Sequence, residues 1–226
     1  MKLAKPHLDI GLFTNDVRAH RAFWADEVGV PFDHELRMGP GWAIHRFDAH
    51  GSVVKVNHRV EPLPPRDPSG FATLTIAREG VGESRSVTGP GGEGVQLVEP
   101  GTDDVTRIGI TVTSPNPGRL VDFYATALEF EELGPNRLRC GDSILTVVEG
   151  PGAVDAPDHV APGYRYLTVQ IFDADREMAG VVRRGGRIAR DPVDYPGVAR
   201  YGFVADPDGN WTELSARTQW TGVEVT

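Results

Sequence analysis

Cysteine is nearly absent: Cys140 is the single thiol in 226 residues. It has no partner for an internal disulfide, and a reducing cytoplasm is the simplest compartment. As a nucleophile it is poorly placed. "LRCGDSIL" reads as strand and turn, with no helix N-terminus to lower a thiol pKa. Long apolar runs are missing too, and none approaches the roughly 20 residues a membrane-spanning helix needs. The opening "MKLAKPHLDIGLF" has no signal-peptide core and moves directly into a strand pattern. Basic stretches are lacking beyond Arg183-Arg184, and the net charge is −9. That speaks against nucleic acid and against an anionic membrane surface, both of which demand clustered Lys and Arg. No H-x-H, H-E-x-x-H or C-x-x-C occurs, nor a phosphate loop, nor a G-x-G-x-x-G after a strand. "GPGGEG" precedes a strand rather than a helix, so no helix dipole backs it.

What is present in abundance is turn chemistry. Gly (27) and Pro (18) make up about a fifth of the chain and punctuate apolar segments. Those segments repeat. "HLDIGLFTNDVRAHRAFWADEVGVPFDHEL" (His7–Leu36) and "RIGITVTSPNPGRLVDFYATALEFEEL" (Arg107–Leu133) share one order. Each has an alternating strand, a capped turn, a short helix ending in an aromatic pair, and a second strand. Asp9 to Trp24 and Gly109 to Tyr124 are both 15 residues. The closing strands "AHGSVVKVNH" and "RCGDSILTVVEG" also correspond. A further copy runs from "YRYLTVQIFDADREMAGVVRRGG" to "YGFVADPDGNWTELSAR", and a shortened one, expected to lack its helix, lies between Gly70 and Gly101. The spacing predicts an α+β fold of four βαβββ-type modules in two bowl-shaped mixed sheets with helices outside. The expected halves are 1–101 (modules 1 and 2) and 102–217 (modules 3 and 4), with 218–226 as a tail. Glu61–Gly70 and Glu149–Gly163 are read as linkers within the halves.

On these segments, and on "VADPDGNWTEL", the chain resembles the vicinal oxygen chelate superfamily, which includes glyoxalase I, bleomycin-resistance proteins and type I extradiol dioxygenases. The resemblance covers nearly the whole chain and implies the fold, whereas the reaction varies across the group. In metal-using members, ligands come from the first and last strands of paired modules. Carried over, those positions fall on Asp9, Phe71, Lys55 and Gln96 in the first half, and on Gly109, Tyr166, Leu145 and Glu213 in the second. A divalent site needs about three ligands of His, Asp, Glu or Gln type. The expectation is therefore no metal at the family positions and no cofactor, with a divalent ion left open at a non-family site built from His7, Asp9 and His45.

The candidate catalytic residues are Glu213, Tyr166, Lys55, Asp9 and His45; the candidate ligand-binding residues are Trp42, Gln96, Trp211 and Arg165. Glu213 shares a strand face with Trp211 and is expected to face a cavity as an unmetallated carboxylate; it could equally be a strand residue after the "DPDG" turn. Asp9 and Lys55 could form a structural ion pair, or Lys55 could replace the metal as electrophile for a substrate oxygen. Tyr166 offers a hydroxyl. Trp24, Phe123 and Tyr124 read as core, and Trp42 as a better clamp for a ligand. The functional readings are an acid–base enzyme of lyase or isomerase type acting on a small oxygen-bearing organic molecule, a metal-free binding or antibiotic-sequestering protein, and a metal-dependent lyase or dioxygenase. A small organic molecule is the expected partner, with a homodimer possible and the cytoplasm the expected compartment.

Overall fold

The computed structural model describes residues 1–153 and 158–226, so Val154–Pro157 of the second linker lie outside the described residues. Module 1 comprises β1 (Asp9–Thr14), α1 (Val17–Ala22), a π-helical turn (Phe23–Val28), β2 (Phe32–Gly39), β3 (Trp42–Ala49) and β4 (Ser52–Arg59). Module 2 has only β5 (Phe71–Ala77), β6 (Arg85–Thr88) and β7 (Gly94–Val98), and its helix is lost as the Gly-rich spacer predicts. Module 3 is β8 (Ile108–Ser114), α2 (Pro117–Thr126), β9 (Glu131–Gly134), β10 (Arg137–Cys140) and β11 (Ser143–Glu149). Module 4 is β12 (Gly163–Gln170), α3 (Ala174–Arg183), β13 (Arg187–Tyr195), β14 (Ala199–Ala205) and β15 (Trp211–Arg217).

α1, α2 and α3 each begin where a short polar side chain can satisfy a free backbone N–H. The side chains of Asp16, Asn116 and Asp173 accept from the N–H groups of Ala19 (2.9 Å), Arg119 (3.1 Å) and Arg176 (3.0 Å). Gly185, at φ 87°, ends α3 in a left-handed conformation that costs glycine little.

The modules pair differently from the expectation. One sheet has the order β13-β14-β15-β12-β1-β4-β3-β2 and joins module 4 to module 1. The other, β6-β7-β5-β8-β11-β10-β9, joins module 2 to module 3. The seams are antiparallel, β1 against β12 and β5 against β8. Nine residues connect β7 to β8 within one sheet. The ten-residue proline-rich segment Glu61–Gly70 carries the chain from one sheet to the other. A bowl is thus shared between the two ends of the chain, and any site inside it draws on both.

The outer faces of both sheets and the helices share one apolar core. Trp24 and Tyr124 from the helix aromatic pairs are fully buried in it. Each such ring removes about 150–250 Å² from water, worth at most about 4–6 kcal/mol. Cys140 is buried in the same core, and burial pushes its thiol up to about 12, so it is inert at neutral pH. No described helix is long and apolar enough to cross a membrane.

Candidate functional site

Period-2 alternation aims one residue in two into the bowl of modules 1 and 4. From β3 come Trp42, Ile44 and Arg46, from β4 Lys55 and Asn57, from β12 Tyr166, and from β15 Glu213, Ser215 and Arg217. They line a cleft that, with its open mouth included, encloses about 550 Å³. Tyr195 Oη donates to Arg37 O (2.6 Å), tying together β13 and β2, the outermost strands of the sheet, so the bowl is nearly closed.

At its centre Lys55 Nζ donates to Glu213 Oε2 (2.6 Å) and to Thr168 Oγ1 (2.7 Å), and Thr168 Oγ1 donates to the same carboxylate oxygen (2.7 Å). All three groups are buried. The strand register brings them together: Gly11 lies opposite Lys55, and Thr168 opposite Glu213. Burial pulls the Lys55 ammonium below the usual lysine range, against the attraction of Glu213 and Asp9. Tyr166 packs beside this pair, its ring centroid 5.4 Å from Lys55 Nζ. A Cβ on Gly11 would lie 2.1 Å from the Tyr166 ring, so glycine is what lets the ring cross β1. Asn57 Nδ2 donates to Tyr166 Oη (3.0 Å), and Trp42 Nε1 donates to Asn57 Oδ1 (3.3 Å). Burial, then Glu213, pushes the Tyr166 phenol well above its usual range, so it stays protonated.

The two ends of the cleft differ. One is aromatic: Phe13, Tyr166, Phe203 and Trp211 form a cluster around His159, whose ring lies 4.5 Å from Phe203 and 4.7 Å from Trp211. Burial, then the Arg190 guanidinium, drives His159 down to about 3, so it is neutral. The other end is cationic, with Arg46 beside Lys55 in the β3–β4 register and Arg217 two positions beyond Ser215 on the same strand face.

The turn "DPDG" sets the level of β15. Buried Asp206 accepts from Asn210 N (2.9 Å), Asn210 Nδ2 (2.8 Å), Asp208 N (3.0 Å) and, across the sheets, Tyr124 Oη (3.2 Å). Gly209 takes φ 93° there. Glu213 follows from that anchored turn.

Residues 108–214 match the family model described as the Glyoxalase/Bleomycin resistance protein/Dioxygenase superfamily. The matched stretch spans modules 3 and 4, and over it the chain is similar to that superfamily, the vicinal oxygen chelate group. It is 23% identical over 244 aligned positions to proteins of Mycobacterium tuberculosis and Mycobacterium bovis named "Putative glyoxylase CFP32", over 88% of this chain and 90% of theirs. It is similar in fold to glyoxalase I from Zea mays, with a TM-score of 0.71, 15% identity and 92% of each chain covered.

Where vicinal oxygen chelate proteins that use metals hold a divalent ion, the present residues do not fit one. An ammonium already lies against Glu213 and Thr168, and β1 contributes only Gly11 opposite it. Nor does Asp9 replace the missing ligand. It accepts from Lys5 Nζ (2.5 Å), Val53 N (2.8 Å) and Gln170 Nε2 (3.3 Å). Burial opposes its ionisation, but Lys5 and Lys55 outweigh it and hold the carboxyl below the usual range. The expected Asp9–Lys55 ion pair is therefore corrected to Lys5–Asp9 and Lys55–Glu213. Among the described residues no group of three His, Cys, Asp or Glu side chains is arranged to hold a metal. The open His7–Asp9–His45 combination is accordingly not assembled, and His7 instead meets Asp142.

Other candidates also fall elsewhere. His45 alternates with Arg46 and faces away from the bowl, between the rings of Phe32 and His58. Gln96 lies on β7, in the other sheet. Arg165 alternates with Tyr166 and ties loops together, donating to the carbonyls of Asp67, Ala161 and Pro162. Leu145 and Phe71 join the apolar core instead of a bowl, and Ile144 takes the place opposite Gly109. Glu213, Tyr166, Lys55, Trp42 and Trp211 do come together, along with Thr168, Asn57, Arg46, Arg190, Arg217 and His159, which sequence reasoning missed. Strand parity marks several of these: Thr168 is two residues from Tyr166, Arg46 four from Trp42, and Arg217 four from Glu213.

Proposed function

We propose that this glyoxalase-like protein takes a small oxygen-bearing organic molecule into the bowl of modules 1 and 4, with the Lys55 ammonium serving where relatives place a divalent ion. The observation that carries this reading is the 2.6 Å contact of Lys55 Nζ with Glu213 Oε2. A fixed ammonium is a hydrogen-bond donor and point charge able to polarise a carbonyl oxygen. Glu213 Oε2 receives both Lys55 and Thr168, while Oε1 has no hydrogen-bond partner among the described residues. That free oxygen is suited to accept a proton from a carbon beside the carbonyl as Lys55 stabilises the oxygen that gains charge. Where that carbon also bears a hydroxyl, return of the proton to the former carbonyl carbon, with the hydroxyl proton passing to the carbonyl oxygen, completes an isomerisation; expulsion of a leaving group from the next carbon, its bonding pair leaving with it as the new C=C forms, instead gives a lyase reaction.

A second reading, sequestration without chemistry, is favoured by the ring cluster of Phe13, Tyr166, Phe203 and Trp211, which offers stacking area at one end of the cleft. Proton exchange separates the two. A bound carbonyl compound incubated in D₂O loses its adjacent C–H signal by NMR if Glu213 acts as a base, and Glu213→Gln abolishes the exchange. Binding with no exchange above the solvent rate supports sequestration. Binding or exchange that vanishes on chelation and returns with a divalent ion defeats both readings.

A further inference from the structure

The cleft carries a charge imbalance that the Lys55–Glu213 pair does not use. Its walls hold four cations, Arg46, Lys55, Arg190 and Arg217, against one carboxylate, Glu213, which Lys55 already neutralises. The chain as a whole is acidic, at −9, so this surplus is local. Among the described residues no carboxylate comes within ion-pair distance of Arg46 or Arg217, and the buried Nε of each has no hydrogen-bond acceptor. Arg46 is 6% exposed. Burial, and then repulsion by Arg46, lowers Arg217 against the attraction of Glu213 and Asp9, so the two guanidiniums lie within electrostatic reach of one another. Like charges held together out of water, with donors unused, destabilise a fold, and such an arrangement is retained where a ligand completes it.

The geometry points to a small aromatic carboxylate as the occupant, its carboxylate held by Arg46 and Arg217 and its ring directed to the Trp42 and Phe203 end. This deepens, and rests on, the assignment of the site to this bowl. A guanidinium presents a planar fork that matches a carboxylate with two parallel hydrogen bonds. Two forks at one end leave the middle of the ligand beside Lys55 and Glu213. The opposite end offers ring faces, with Arg190 stacked at 5.6 Å from the Phe203 centroid. Charge, unused donors and aromatic wall therefore lie in sequence along one axis.

The test is calorimetric titration and thermal shift of the full chain with phenylacetate, its uncharged analogue phenylacetamide, and phenyl phosphate. The expected result is binding of phenylacetate about 10-fold or more tighter than phenylacetamide, the difference a charged hydrogen-bond pair supplies. Arg46→Met and Arg217→Met should each erase that preference, while Arg46→Met without ligand melts no lower than wild type, because a repulsion is removed. The proposal is overturned by equal affinity for acid and amide, by absence of phenylacetate binding, by a preference that survives both Arg variants, or by phenyl phosphate outcompeting the carboxylate. Lys55→Met separates this from the broader reading. Arg-dependent carboxylate binding that ignores Lys55→Met keeps the anion seat and defeats Lys55 as the cation substitute. Binding lost in Lys55→Met but indifferent to both Arg variants does the reverse.

Discussion

Replacing Lys55 by methionine keeps the length of the side chain and removes its charge, leaving Glu213 buried with only the Thr168 hydroxyl as donor. Removing one partner of a buried pair costs about 3–5 kcal/mol, because the remaining charge is uncompensated. Glu213 keeps 11% of its side chain exposed, so water can relieve part of that, and the lower end, about 3 kcal/mol, applies. For a chain of this size each kcal/mol moves Tm by about 2–4 °C, so Lys55→Met should melt about 6–12 °C below wild type. The double variant Lys55→Met with Glu213→Leu removes both charges and should recover to within about 1–2 kcal/mol of wild type, the residue being the orphaned Thr168 hydroxyl. With each single variant losing about 3 kcal/mol and the double about 1–2 kcal/mol, the cycle should give a coupling of about 4–5 kcal/mol. Urea denaturation followed by circular dichroism, alongside calorimetry, reads all four proteins. A Lys55→Met protein that melts with wild type, or a double variant that is the least stable of the set, would refute the pairing and the seat assigned to Lys55.

Other expectations concern the bowl wall. His159, held at about 3 against 6.5 in the unfolded chain, contributes stability that is fully present above 6.5 and lost as pH falls, since the unfolded state binds the extra proton. Between pH 7 and pH 5 that amounts to about 2 kcal/mol, and His159→Phe should lose this much less than wild type over the same window in denaturant titrations. Gly11→Ala forces a Cβ to 2.1 Å from the Tyr166 ring, so it should cost about 1–3 kcal/mol and shift intrinsic tyrosine and tryptophan fluorescence; an unchanged midpoint would mean the ring is not packed there. Glu213→Gln keeps the shape and a hydrogen-bond acceptor but leaves the Lys55 ammonium buried without its counter-charge, so in the same urea titrations it should lose about as much stability as Lys55→Met.

The modules were legible because each repeats the same order of strand, cap, aromatic-ended helix and strands, and those are local signals. Asn15-Asp16 and Pro115-Asn116-Pro117 begin helices wherever they sit, and the short spacer after Ala77 leaves no room for one. Module pairing was not legible, because β1 and β12 are equally apolar on their outer faces and nothing in either strand names its neighbour. That single tertiary choice moved Lys55 from Asp9 to Glu213 and removed Gln96 from the site. Strand parity put Glu213 on the Trp211 face and in one cavity with Tyr166, whereas Trp42 was expected in the other half and joins them only through the pairing of modules 1 and 4. His45 was misjudged because the alternation of "WAIHRF" assigns it to one face and Arg46 to the other, and histidine chemistry outweighed parity. Lys5 lies before β1 in a segment with no periodic pattern, so its partnership with Asp9 left no trace in sequence. His159 comes from a linker, where spacing carries no directional information.

The Lys55 ammonium, not a divalent ion, is assigned here to the heart of the bowl of modules 1 and 4. Elemental analysis of the purified chain, after equilibration with Zn, Ni, Mn and Fe salts and removal of the excess by gel filtration, tests it directly. The account predicts far less than one ion per chain for wild type, unchanged in Glu213→Ala. About one ion per chain in wild type, lost in Glu213→Ala, would contradict it.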